Sequence, residues 1–379
     1  MKQLRRLSPN VVNVLAGFAF AASAVSVTPA FAVGTRTFEL RKGEDFKGGD
    51  LQGVAVDSSG EVRAGFNLGQ VPVLDATTIW SALALRDGTI LLGTGNDGKI
   101  LSSDGATVKV AAETGALVVT SLVEGWGGAV LAGTLPDGEV WKYAGGKATK
   151  FVKLEGAEHV WQLAFDPKTK SVFAATGPQG KLFRIDEQGT AQVYFDAPEE
   201  HLMSVAVGPD GTVYAGASDK AKLYRIGGPG RATVLYDFGR TEVRAIAVSD
   251  KGEVYAAAND VKPGTLTPTR KGGTSSASPA TKPAKTTGKG TLYRFGVDGT
   301  PEELLDDKDD YFTSLALGDD GKPYVGTGAE GRVYTVDRQN HDEVLVADVE
   351  ERQVGALLLH GKQRFIAASD PAVLHPVRG

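Results

Sequence analysis

An all-β fold of repeated four-stranded antiparallel units is predicted by three observations. The chain of 379 residues holds 49 glycines and 17 prolines against 8% aromatics, a turn-dense composition that leaves little room for long helices. One phrase recurs eight times: an apolar strand, a turn with Gly or Asp, and a second strand ending in Gly-Thr or Ala-Ala. The recurrences keep a period near 41 residues, enough for four short strands and their turns. Such units set around an axis make a β-propeller.

The eight first strands run Leu51 to Val56, Trp80 to Leu85, Val119 to Glu124, Val160 to Phe165, Leu202 to Val207, Val243 to Val248, Phe312 to Leu317 and Val354 to Leu359. Intervals between their second residues are 29, 39, 41, 42, 41, 69 and 42. The long interval contains low-complexity sequence between Asp260 and Lys289, and excising it restores the period. The short first interval marks the Leu51 beat as less than a blade, and the last beat lacks an outer strand. Seven blades on the beats from Trp80 to Val354 are therefore expected, with N-terminal strands between Thr35 and Phe66 completing the last blade and closing the ring. Eight blades is the alternative.

Within each first strand the fourth residue is bulky and apolar: Val54, Leu83, Leu122, Leu163, Val205, Ile246, Leu315 and Leu357. The residue before it is small or modest, as at Gly53, Ala82, Ser121 and Ser314. Successive residues face opposite sides of a sheet, so these strands carry bulk on one side and a hollow on the other. Copies of such a strand nest against one another where blades converge on an axis.

Residues 1–32 read as an export signal. Lys2, Arg5 and Arg6 precede an apolar stretch from Val11 to Val27, and Ala30-Phe31-Ala32 offers small residues for cleavage before Val33. A periplasmic or secreted location is expected, with no membrane span after signal removal. Losing those basic residues leaves the mature chain more acidic than the net −5 of the whole, so no attraction to nucleic acid is expected. Zero cysteines exclude a disulfide framework, a zinc-thiolate site and a thiol nucleophile.

Two stretches, Gly-Thr-Gly-Ala-Glu-Gly-Arg-Val-Tyr at 326–334 and Gly-Lys-Leu-Phe-Arg-Ile-Asp at 180–186, carry a family likeness. They resemble the repeats of NHL, WD-repeat and quinoprotein propellers, and the phrase from Gly53 to Gly60 is similar to that of exported bacterial propellers. No third strand ends in the Trp-Asp of WD repeats, and the tryptophan dockings of quinoprotein blades are missing. The resemblance implies a superfold that hosts many activities.

Several apparent motifs dissolve on the repeat. Gly93 to Gly98 and Gly326 to Gly331 match a dinucleotide fingerprint by letter, yet both lie at strand-to-strand turns, whereas phosphate binding needs glycines that open a helix. His159 and His201 occupy equivalent places one blade apart, each after a glutamate (Glu158, Glu200), in loops entering a first strand. They read as binding groups rather than metal ligands. His341, His360 and His375 show no partner spacing, and the run Asp306-Asp307-Lys308-Asp309-Asp310 lacks the spaced ligands of a calcium loop. No metal and no cofactor are expected.

Loops entering the blades place Trp80, Trp161, Arg240, Arg244, Asp310, Tyr311 and Arg352 around one funnel, beside His159 and His201. Aromatic and arginine anchors suit a recognition surface. The insertion at about 261–290 carries Lys262, Arg270, Lys271, Lys282, Lys285 and Lys289 with no acidic residue, and is expected to be a disordered, solvated loop. The functional expectation is an exported monomer, noncatalytic, binding a protein or glycan partner through its central mouth. Two alternatives stand beside it. One is a propeller enzyme of the metal-dependent lactonase or lyase type, which needs carboxylates and an Asn on the channel; the other is a structural module of a larger envelope protein.

Overall fold

The computed structural model describes residues 39–46, 49, 51–95, 97–262, 286–337, 342–361 and 363–378. The chain divides into residues 1–40, of which Glu39 and Leu40 are described, and residues 41–379. The expected export signal lies outside the described residues.

Residues 41–379 form a ring of seven antiparallel blades. Their innermost strands are Ile79–Ala84, Val118–Glu124, His159–Asp166, Leu202–Val207, Glu242–Val248, Phe312–Leu317 and Gln353–Leu358, which define blades one to seven. Blade three shows the plan: His159–Asp166, Ser171–Gly177, Lys181–Ile185 and Ala191–Asp196, each paired with the next. Second strands such as Ser171–Gly177 and Val213–Ala217 are buried at every residue, because a sheet covers them on each side. Outer strands such as Ala191–Asp196 are half-buried or exposed at every residue.

The blades pack through a small column and a valine. Residues 93, 133, 216 and 326 of the second strands are glycine, and 175, 257 and 367 are alanine. A Cβ on Gly133 would lie 2.8 Å from a methyl of Val160, and one on Gly326 would lie 2.4 Å from a methyl of Val354. The Gly-Thr and Ala-Ala endings legible in the sequence are thus hollows that receive the next blade.

Hydrogen bonds staple every interface of the ring. The Ser81 hydroxyl donates to the Val119 carbonyl, Leu163 N–H donates to Ser121 Oγ, and Val205 N–H donates to Gln162 Oε1. Ser204 donates to the Val243 carbonyl, Asn259 exchanges two bonds with the Phe312 backbone, and Ser314 donates to the Val354 carbonyl. Between blades seven and one, Ser369 Oγ accepts from Ile79 N–H at 2.9 Å. Each such bond is worth about 0.5–1.5 kcal/mol net, and the small polar residues of the first strands are there to make them.

Three details depart from the sequence reading. Blade one begins at Ile79, so the apolar station next to its small residue is occupied by the half-buried Ala82, not Leu83. The Leu51 beat is no innermost strand: Val54–Asp57 and Val62–Ala64 extend the outer edge of the sixth sheet, Val56 pairing with Leu345. Asn67–Leu68 and Val71–Pro72, beyond the expected Thr35–Phe66 window, are the strands that pair with Val373–Arg378 of blade seven.

The insertion also begins later than expected. Val254–Lys262 and Thr287–Phe295 of blade five stay in register out to the pair Lys262 and Thr287. An established ladder continues while each residue can donate, and Pro263, which has no N–H, follows Lys262 directly. Residues 263–285 lie outside the described residues.

Candidate functional site

Each innermost strand carries a β-bulge at the same station. Pairing jumps from Ile79 to Ser81, Val119 to Ser121, Val160 to Gln162, Leu202 to Ser204, Val243 to Ala245, Phe312 to Ser314 and Val354 to Ala356. The skipped residues are Trp80, Thr120, Trp161, Met203, Arg244, Thr313 and Gly355. A bulge leaves one residue out of the ladder and re-aims its side chain. All seven line one central cavity of about 220 Å³.

Below this ring the channel wall repeats, with Ser121 and Leu122, Gln162 and Leu163, Ala245 and Ile246, Ser314 and Leu315, Ala356 and Leu357. The staples and the core fix those positions. The bulge column alone varies freely in chemistry from blade to blade. Arg244 is the single charged residue lining the cavity.

Arg244 belongs to blade five and Trp80 to blade one, yet the guanidinium carbon lies 5.9 Å from the indole centroid. The contact passes in front of Thr313 and Gly355, whose small size leaves room for it. A second recess of about 140 Å³ adjoins the cavity and is lined by Trp80, Arg244, Thr313 and Gln353. Trp80 is 36% exposed.

The aromatic groups of blades three and four form one cluster. Trp161 Nε1–H donates to His201 Nδ1 at 3.1 Å, and the rings of His159 and His201 stack at 5.6 Å with 21° between planes. The indole N–H is therefore committed, while Trp161 lines the cavity. His159 Nδ1 is buried without a hydrogen-bond partner among the described residues. Burial, and next the neighbouring His201 charge, hold the His159 imidazole below its ordinary pKa.

The remaining expected residues take up other work. Asp310 is buried, and its oxygens accept the backbone N–H groups of Tyr311, Ala329 and Glu330, bracing the turn of blade six. Burial raises its carboxyl pKa. Tyr311 donates its hydroxyl to the Gly328 carbonyl at 3.1 Å; burial raises its phenol pKa, against the opposing charges of Arg352 and Arg244. Arg352 Nε is buried without a hydrogen-bond partner among the described residues. Arg240 pairs with Asp306 at 2.8 Å, away from the cavity. Asp307 accepts the amides of Asp309 and Asp310, so the acidic run is held by its own backbone. Among the described residues no three His, Asp or Glu side chains converge as a metal shell.

Sequence reasoning missed two things here. Thr120, Met203, Thr313 and Gly355 share the ring with the tryptophans, and only the register shift, invisible to a period-two pattern, reveals that Trp80 is their equivalent. His375, given no partner by spacing, is 2% exposed; its Nε2 lies 2.8 Å from Glu351 Oε2 and its Nδ1 lies 3.0 Å from the Gly69 carbonyl. His360 meets Asp319 at 2.7 Å on the surface, and His341 lies outside the described residues.

No protein-family model matches the chain, and no curated protein matches it. Solved structures do. The extracellular domain of BT4673 from B. thetaiotaomicron, described as a one-component or a hybrid two-component system, is similar with a TM-score of 0.61 and 13% identity over 81% of this chain. The match spans 39% of that longer chain. A streptogramin B lyase is similar with a TM-score of 0.60 and 12% identity, over 83% of this chain and 98% of that one. The WD40 β-propeller domain of Doa1 is similar with a TM-score of 0.61 and 13% identity, over 83% and 98%. These likenesses establish the propeller fold. No helix among the described residues is long and apolar enough to cross a membrane.

Proposed function

We propose that the chain is an exported, noncatalytic binding propeller that takes a protein or glycan partner at the mouth of its central channel. One observation carries this reading: seven geometrically equivalent bulges present six side chains of four chemical kinds, and one glycine, to one cavity. Where the other columns of a repeat are held to type by packing, a column released from the ladder and filled with Trp, Met, Arg and Thr is suited to recognition. The similarity to bacterial extracellular domains is in keeping with a periplasmic or secreted location. A cavity of about 220 Å³ is smaller than the roughly 300–1,000 Å³ of sites that engulf a whole small molecule, so the partner inserts an end group and rests its bulk on the rim.

A lyase reading has one feature in its favour, the imidazole pair of His159 and His201 beside the cavity. Against it, the cavity is lined by no Asp, Glu or Asn. Binding is tested by the double variant Trp161→Ala with Arg244→Ala, which should abolish capture of the partner at unchanged melting temperature. Undiminished capture by that variant would remove the channel from consideration.

A further inference from the structure

Resting on the reading above, the inference concerns what the channel binds. Among the described residues Arg244 makes no ion pair and no side-chain hydrogen bond; its recorded partner is the face of Trp80. A guanidinium has five N–H donors in one plane. Placed over an indole, it satisfies none of them through the ring, and its in-plane edge remains available for a forked pair of hydrogen bonds to a carboxylate or phosphate. The cavity supplies no anion of its own.

The surroundings agree in sign. Arg352 carries a second guanidinium whose Nε is buried and unpartnered among the described residues, and both arginines act on the Tyr311 phenol. The acids nearby are engaged: Asp310 holds three amides of its own blade, and Glu242 accepts from Asn259 Nδ2 at 3.0 Å. Tyr311 is committed to Gly328. A chain of net charge −5 thus keeps its one uncommitted cavity charge positive. Two blades away the same cavity is lined by Trp161, whose N–H is occupied by His201, so a flat or apolar body is favoured there over a second polar group.

We propose that the end group entering the channel is anionic, a carboxylate or phosphate recognised by Arg244, borne on a flat apolar body that lies on the Trp161 face. The stack on Trp80 orients the guanidinium before the ligand arrives, which reduces the side-chain entropy lost on binding.

The test uses four probes of matched shape: phenylacetate, phenyl phosphate, phenylacetamide and phenethylamine, each titrated against the whole protein by tryptophan fluorescence and calorimetry. The expected order is anion over amide over amine. Arg244→Met should weaken the anion about ten- to a hundred-fold, the worth of a charge-assisted hydrogen bond, and leave the amide unchanged, while Arg244→Lys restores part of the loss. Trp161→Ala should weaken every probe. Preference between phenylacetate and phenyl phosphate identifies the source of the anion. Equal binding of anion and amide, unaffected by Arg244→Met, would overturn the anionic assignment while leaving the channel as a binding site. Binding by none of the four would sink both.

Discussion

Replacing His375 by alanine gives the most demanding test of the structure outside the channel. The imidazole is 2% exposed and stands between the Glu351 carboxylate and the Gly69 carbonyl, both of which accept hydrogen bonds. With acceptors at each ring nitrogen, the group needs two protons, supplied by an imidazolium facing a carboxylate or by a neutral ring facing a carboxylic acid. Burial pushes the Glu351 pKa up, but the His375 hydrogen bond and charge outweigh it, and the carboxyl is held below its ordinary 4.5. Glu351 is therefore a carboxylate at neutral pH.

His375→Ala leaves Glu351, 5% exposed, as a buried charge without its imidazole partner, which costs about 3–5 kcal/mol. The Gly69 carbonyl loses its donor as well, about 1 kcal/mol. Glu351→Gln should be milder, near 1 kcal/mol, because its amide can donate to Nε2 while Nδ1–H serves Gly69. The pH dependence follows from the depressed carboxyl. Its stabilisation is present above the ordinary carboxyl value and is lost as pH falls through the folded one. Wild type should weaken on acidification below 4.5, Glu351→Gln should weaken less, and the deficit of His375→Ala should shrink once Glu351 is protonated. Urea titrations followed by tryptophan fluorescence at neutral and acid pH measure all three. If His375→Ala lies within about 0.5 kcal/mol of wild type, the size of an ordinary surface change, or if its deficit is independent of pH, the pairing is refuted.

Further outcomes are expected elsewhere. Gly326→Val drives a side chain into Val354 of the next blade and should destabilise by about 1–3 kcal/mol, read by thermal melting; an unchanged melt would contradict the nesting of blades. Ile246→Asp places a charge at a station 6% exposed and should prevent soluble folding; a soluble variant of wild-type melting temperature counts against the packing. His159 is depressed chiefly by burial, so the folded state loses stability as pH falls below the ordinary imidazole value of 6.5. His159→Gln should flatten that decline, and an identical slope would show that the imidazole does not titrate in the stack.

The ring was legible because packing writes the same instruction into each repeat. Gly133, Gly216 and Gly326 are small for one reason, the valine of the following blade, and Leu122, Leu163 and Ile246 are bulky for one reason, the converging axis. The bulge column was half legible. Trp161 and Arg244 stand out by type, but a bulge removes a residue from the alternation that a reader counts, and the count slipped by one at Trp80. Pairs such as His375 with Glu351 leave no local trace, since their partners lie on separate strands and loops and meet only after the blade folds. The edge strands at Asn67 and Val71 were misplaced because two-residue pairings carry too little pattern to locate.

The seven bulges separate two tasks that most strands must share. Residues in the ladder answer to their neighbours, whereas Trp80, Trp161, Met203 and Arg244, thrown out at their bulges, turn toward the hollow. Those four can therefore be exchanged at little expense to the scaffold, unlike Thr120 and Thr313, whose hydroxyls donate to the Val160 and Val354 carbonyls of the next blade, and Gly355, where a Cβ would meet the Ile79 carbonyl oxygen. A library randomised at Trp80, Trp161, Met203 and Arg244 would sample new side-chain sets on an unaltered disc.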